Sequence, residues 1–142
     1  ILFRLVGSEM CIRDSIYGCA AGLDMTRRDL QNKAKENRKP WDTAKDVDES
    51  AVITPLRQMS EVPSVASGRI HLSQNGTVKQ DADLSEMVWS VPEIIADLST
   101  MYTLQQGDVI YMGTPAGVGA VSRGDVLTGG VEGIGDFEVK IA

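Results

Sequence analysis

One short segment carries an acid, a cation and an amide at helical intervals. In Gly22-Leu-Asp-Met-Thr-Arg-Arg-Asp-Leu-Gln31, Asp24, Arg28 and Gln31 fall at i, i+4 and i+7, and Lys35 extends the series. On a helix such positions form one stripe, with Leu30 and Ala34 supplying a separate apolar strip. An acid, a planar cation and an amide along one line suit a divalent metal and a carboxylate ligand. A solvated helix face would look the same, and on spacing alone that plainer reading is favoured. Further along stand Lys45 and Gly113-Thr-Pro-Ala-Gly-Val-Gly119. The glycine segment lacks both the Gly-Lys-Ser/Thr ending of a P-loop and the G-x-G-x-x-G spacing, so it does not read as a nucleotide loop.

The elements around these residues must bring them together. Residues 16–23 read as a strand of small and apolar residues that delivers Asp24 at its end. A helix is expected from Thr26, as its N-cap, to Glu36 or Asn37. Residues 39–45 read as a loop, because Pro40 has no N–H to continue a helix. Within it, Trp41 could equally cover a pocket wall or anchor the core. Residues 69–73 alternate polar and apolar, meet Asn75-Gly76, and resume at 77–80, which predicts a hairpin. His71, the one histidine, alternates with Ile70 and Leu72 and is expected to face solvent. Ser90-Val-Pro-Glu93 has the form of a capping box. The stripe of Val91, Ile94, Ile95, Leu98, Met101 and Tyr102 that follows predicts a core-facing helix. A short buried strand over residues 108–112 leads into the glycine loop. Residues 126–127 and 137–141 read as further strands, with Gly129-Gly130 and Gly133 at turns. The class is α+β and rich in strands.

At 142 residues the chain has room for one domain with a core. A net charge of −6, with no basic cluster interleaved with aromatics, argues against a nucleic-acid partner. No apolar run is long enough to span a bilayer. Cys11 and Cys19 make no disulfide framework, which points to a reducing, cytoplasmic setting. Cys19 reads as a small buried strand residue. Asp46, Asp48 and Glu49 read as a solvated acidic loop in preference to a second metal site. Residues 1–15 do not begin with Met and are expected to be a foreign leader outside the domain, with a divergent strand as the alternative.

From about Ile16 onward, the chain resembles the C-terminal part of the fumarylacetoacetate hydrolase family, in particular its acylpyruvate (fumarylpyruvate) hydrolase branch. The resemblance is carried by residues 22–31, Lys39-Pro-Trp41 with Ala44-Lys45, Gly107-Asp-Val-Ile110, the loop of residues 113–119, and Gly124-Asp125. It implies an incomplete, strand-rich β-sandwich roll of the family's C-terminal type over residues 16–142. It further implies a hydrolase that cleaves a carbon–carbon bond in a small 1,3-diketo acid, with Mg²⁺ (or Mn²⁺ or Ca²⁺), in aromatic compound catabolism, as a homodimer. In such enzymes the metal chelates the α-keto acid end, water attacks the distal carbonyl, and pyruvate enolate leaves.

The same resemblance assigns roles residue by residue. Asp24 matches a metal ligand, and Lys45 a lysine that stabilises enolate charge. Arg28, Gln31 and Thr114 match substrate contacts, Thr114 through the substrate carboxylate. The chain departs from the family where the Glu-x-Glu ligand pair and the catalytic His–Glu pair should stand: Glu9 alone precedes Asp24, and His71 does not match. Oxaloacetate decarboxylases and tautomerases share the scaffold and are the alternative activity. A non-catalytic fragment is the other.

Overall fold

The computed structural model describes residues 16–142 and the backbone of residues 2–5. The elements in chain order are β1 (Leu2–Leu5), β2 (Ile16–Ala20), β3 (Gly22–Asp24), α1 (Arg28–Glu36) and α2 (Asp42–Lys45). They continue with β4 (Ala51–Ile53), β5 (Arg57–Gln58), β6 (Arg69–Gln74), β7 (Thr77–Asp83) and α3 (Val91–Met101). β8 (Val109–Tyr111), β9 (Val126–Val131) and β10 (Gly135–Lys140) complete the series, and short 3₁₀ turns follow β5 and β7. The strands form one sheet in the order β5-β2-β1-β8, a second in the order β10-β9-β6-β7, and a β3-β4 ribbon. The α+β class is as the sequence predicts.

A single buried cluster joins the two sheets to α3. Ile16, Cys19 and Ile110 come from the first sheet, Val131 from the second, and Val91 and Ile95 from α3. The Ser90–Glu93 cap starts that helix: Glu93 Oε2 accepts from Ser90 N at 2.7 Å and from Ser90 Oγ at 2.6 Å. The apolar stripe stops short of its expected end, since Met101 and Tyr102 are 62% and 64% exposed. The hairpin forms as predicted, with Asn75 at φ 52° and Gly76 at φ 78° turning β6 into β7.

Several local expectations give way to longer-range contacts. The strand expected over residues 16–23 is two strands in different sheets, parted at Ala21. Thr54 makes the transfer feasible: its Oγ1 accepts from Ala21 N at 3.1 Å, and its N–H donates to Ala21 O at 3.0 Å. Both backbone groups of the crossing residue are thereby satisfied where no sheet ladder serves them. Gly129-Gly130 is no turn but the middle of β9. A Cβ on Gly129 would stand 2.7 Å from His71 O and 2.9 Å from the Phe137 ring, so the strand needs glycine for close approach.

The first helix begins at Arg28, and its cap position is Arg27, without a side-chain cap bond. Thr26 is therefore not the N-cap, and Asp24 lies on β3 instead of on the helix. The segment expected to be a loop closes into the single turn α2. Of the presumed leader, Leu2–Leu5 pairs with β2 on one side and β8 on the other. Glu9 and Cys11 lie outside the described residues. Among the described residues, no helix is long and apolar enough to cross a membrane.

Candidate active site

Three segments far apart in sequence converge on one cleft. β3 ends at Asp24, paired with Ala51 of β4, and Met25 N donates to Ser50 O at 2.8 Å. The single turn of α2 swings Lys45 back toward it, and Arg27 N is tied to Ala44 O at 3.0 Å. Lys45 Nζ donates to Asp24 Oδ2 at 2.7 Å. The glycine loop joins them directly after β8, whose Ile110 is buried in the core. The cleft has a volume of ≈ 470 Å³, and Asp24, Arg28, Lys45 and Thr114 all line it. Leu72, Leu127, Val131 and Phe137 contribute apolar wall.

Gln31 stands apart from the other four. It does not line the cleft; it is buried, at 4% exposure, on the inner side of α1. Its Oε1 accepts from Arg28 Nη1 at 2.7 Å. A buried amide carbonyl that holds one prong of a guanidinium leaves the remaining N–H groups of Arg28 for another acceptor. Gln31 thus touches Arg28 and not the cleft.

Two further residues of the cleft escape sequence reasoning. Gln80 of β7 donates from Nε2 to Thr114 Oγ1 at 2.9 Å and to Pro115 O at 2.7 Å. Its one sequence signal is a polar residue at an inward position of a predicted strand. Tyr111, the last residue of β8, lines the cleft beside Gly22, where a Cβ would stand 3.1 Å from the ring. Burial first, and the nearby negative charge of Asp24 second, push the Tyr111 phenol above its usual range, so it remains a hydrogen-bond donor. His71 is half-buried and stands in register with Asp81 and Gly130; among the cleft's lining residues it is the one imidazole.

The lining carries Arg27, Arg28 and Lys45 against Asp24 and Asp29, an excess of positive charge that suits an anionic ligand. A divalent cation fits less well. Among the described residues no group of three His, Cys, Asp or Glu side chains comes together, and one oxygen of Asp24 is already engaged by Lys45. Mg²⁺ and Ca²⁺ need more oxygen donors than one carboxylate supplies. The described residues alone do not make a metal site.

Known proteins resemble the chain over nearly all of its length. The family model "Fumarylacetoacetate (FAA) hydrolase C-terminal" matches residues 6–142. A fumarylpyruvate hydrolase from a Ralstonia species is 51% identical over 134 residues, which is 94% of this chain and 69% of that protein. The mitochondrial oxaloacetate tautomerase of Rattus norvegicus is 35% identical over 133 residues, 94% of this chain and 60% of that protein. Among solved structures, fumarylpyruvate hydrolase from Pseudomonas aeruginosa in complex with Mn²⁺ and pyruvate superposes with a TM-score of 0.92 at 37% identity. That alignment covers 99% of this chain and 63% of the other. The chain thus spans well under the full length of the relatives it matches.

Proposed function

The chain belongs to the fumarylacetoacetate hydrolase family, and from that premise we propose that the protein is a metal-dependent hydrolase. Its substrate is an acylpyruvate-type 1,3-diketo acid of the fumarylpyruvate kind, cleaved at a carbon–carbon bond. The observation that carries this reading is the meeting of Asp24, Arg28, Lys45 and Thr114 in one cleft. The 51% identity to a relative named fumarylpyruvate hydrolase supports the choice of substrate.

Each residue has a role that its geometry permits. Arg28, with its guanidinium steadied by Gln31, and Thr114 bind the substrate carboxylate. The Lys45 ammonium opposes the negative charge that develops on the departing pyruvate enolate. Its partner Asp24 holds the ammonium at the cleft. Asp24 would also be a ligand for a divalent cation such as Mg²⁺ or Mn²⁺, as the family resemblance implies. The remaining ligands, and the base that activates water, are not assigned to described residues. We further propose the homodimeric, cytoplasmic setting that the family resemblance implies.

Oxaloacetate tautomerase is the second reading, supported by the 35% identity to the rat relative. Assaying the chain extended to the length of these relatives, with acetylpyruvate and with oxaloacetate, each with and without Mn²⁺, separates the two. The chain by itself should turn over acetylpyruvate poorly or not at all. Metal-dependent release of pyruvate from acetylpyruvate is the result expected of the extended chain. Loss of the oxaloacetate enol signal with acetylpyruvate left intact would favour the tautomerase. Inertness toward both would favour a non-catalytic fragment.

A further inference from the structure

Gln80 is a buried amide beside the cleft, 7% exposed, on a strand whose preceding residues Val78 and Lys79 are exposed. Burying a primary amide is costly unless its polar atoms are satisfied, so its partners define its purpose. A peptide carbonyl can only accept, so the group facing Pro115 O at 2.7 Å must be the amide NH₂. The contact thereby settles which way the amide points, a choice that otherwise rests on the surrounding bonds. The other N–H of that group lies toward Thr114 Oγ1, 2.9 Å from Nε2, and the hydroxyl oxygen accepts it. A hydroxyl that accepts from one side keeps its own hydrogen for an acceptor elsewhere. Thr114 lines the cleft, and the cleft is where that acceptor would come from.

We propose that Gln80 is a positioning residue that commits the Thr114 hydroxyl to donate into the cleft, and so selects ligands bearing a carboxylate. The assignment rests on the reading of Thr114 as a carboxylate contact. The same amide holds the loop in place, because Pro115 O is its second partner. Gly117, at φ 102°, lies so close to the Lys79 carbonyl that a Cβ would overlap it. Two adjacent residues of β7 therefore seat the glycine loop, one by hydrogen bonds and one by close approach.

Titration calorimetry of the intact chain at fixed Mn²⁺, with pyruvate and with the carboxylate-free diketone acetylacetone, tests the proposal. Gln80→Met is expected to weaken pyruvate about tenfold, the size of one charge-assisted hydrogen bond, and to leave acetylacetone within twofold. In a Thr114→Val background the same substitution should change pyruvate binding less than twofold, because its effect runs through the hydroxyl. Equal weakening in both backgrounds, or unchanged pyruvate binding in Gln80→Met, would overturn the proposal while leaving the proposed function intact. If the unsubstituted chain binds no pyruvate, the carboxylate reading of the cleft falls and this one with it. A measurement on the unsubstituted chain guards against a variant that does not fold. The two Gln80 side-chain amide protons should give distinct, slowly exchanging NMR signals that shift with pyruvate and not with acetylacetone; a freely exchanging pair would also overturn the proposal.

Discussion

Lys45 Nζ meets Asp24 Oδ2 at 2.7 Å across 21 residues of sequence, in the lining of the cleft. The two side chains are 36% and 49% exposed, so water screens the pair and its worth to stability is at most about 1 kcal/mol. The pair lines the cleft, so the roles proposed for both residues can be tested with little disturbance to the fold.

Lys45→Ala should therefore leave the melting temperature within about 4 °C of the unsubstituted chain. In a form of the protein active on acetylpyruvate, it should lower kcat more than it raises KM. A cation facing developing enolate charge helps the transition state more than the bound substrate. Steady-state kinetics beside a thermal melt check both halves; an intact kcat would return Lys45 to a surface role.

Binding of Mn²⁺ to the chain should be weak, on the order of millimolar, because Asp24 supplies one carboxylate and shares it with Lys45. Asp24→Asn should abolish even that binding. Following Mn²⁺ by water proton relaxation decides it, and tight binding that survives Asp24→Asn would place the metal elsewhere.

Gly117→Ala should cost on the order of 1–3 kcal/mol, since it puts a side chain at φ 102° against the Lys79 carbonyl. Pyruvate binding should weaken as the loop lifts from β7. Gly119→Ala is the control: nothing lies within 4 Å of a Cβ there. Urea unfolding of the two variants should separate them clearly, and equal stabilities would mean that the loop is not seated on β7.

Burial pushes the Cys19 thiol, fully enclosed in the core, up to about 11 from 9.0. The folded chain then holds this proton to higher pH than the unfolded chain does. The stability it contributes is complete below about pH 9 and is lost as pH climbs toward 11. Between pH 8 and pH 10.5 the unsubstituted chain should lose more unfolding free energy than Cys19→Ala, read by urea titration at each pH. At pH 8 the thiol should also resist a disulfide reagent until the chain unfolds.

Features whose physics is local could be read directly from neighbouring residues. Asn75-Gly76 had to turn, because both positions take positive φ at little cost. Ser90 and Glu93 had to open a helix, because the capping box is complete within four residues. A strand running into Gly113 and Thr114 was legible for the same reason. Features that depend on distant partners emerged with the fold. Thr54 let the chain change sheets at Ala21, and His71 O with Phe137 kept Gly129 inside a strand. Gln31 turned from a point on a polar stripe into a buried support for Arg28 once α1 began at Arg28 and Asp24 stayed on β3. Gln80 and Tyr111 were unremarkable as letters, since an amide or a phenol on a predicted strand takes meaning only from what the fold sets beside it. Spacing along a chain encodes dihedral preference and periodicity; which side chains share a cleft is set by strand pairing across tens of residues, and that the chain reveals only when folded.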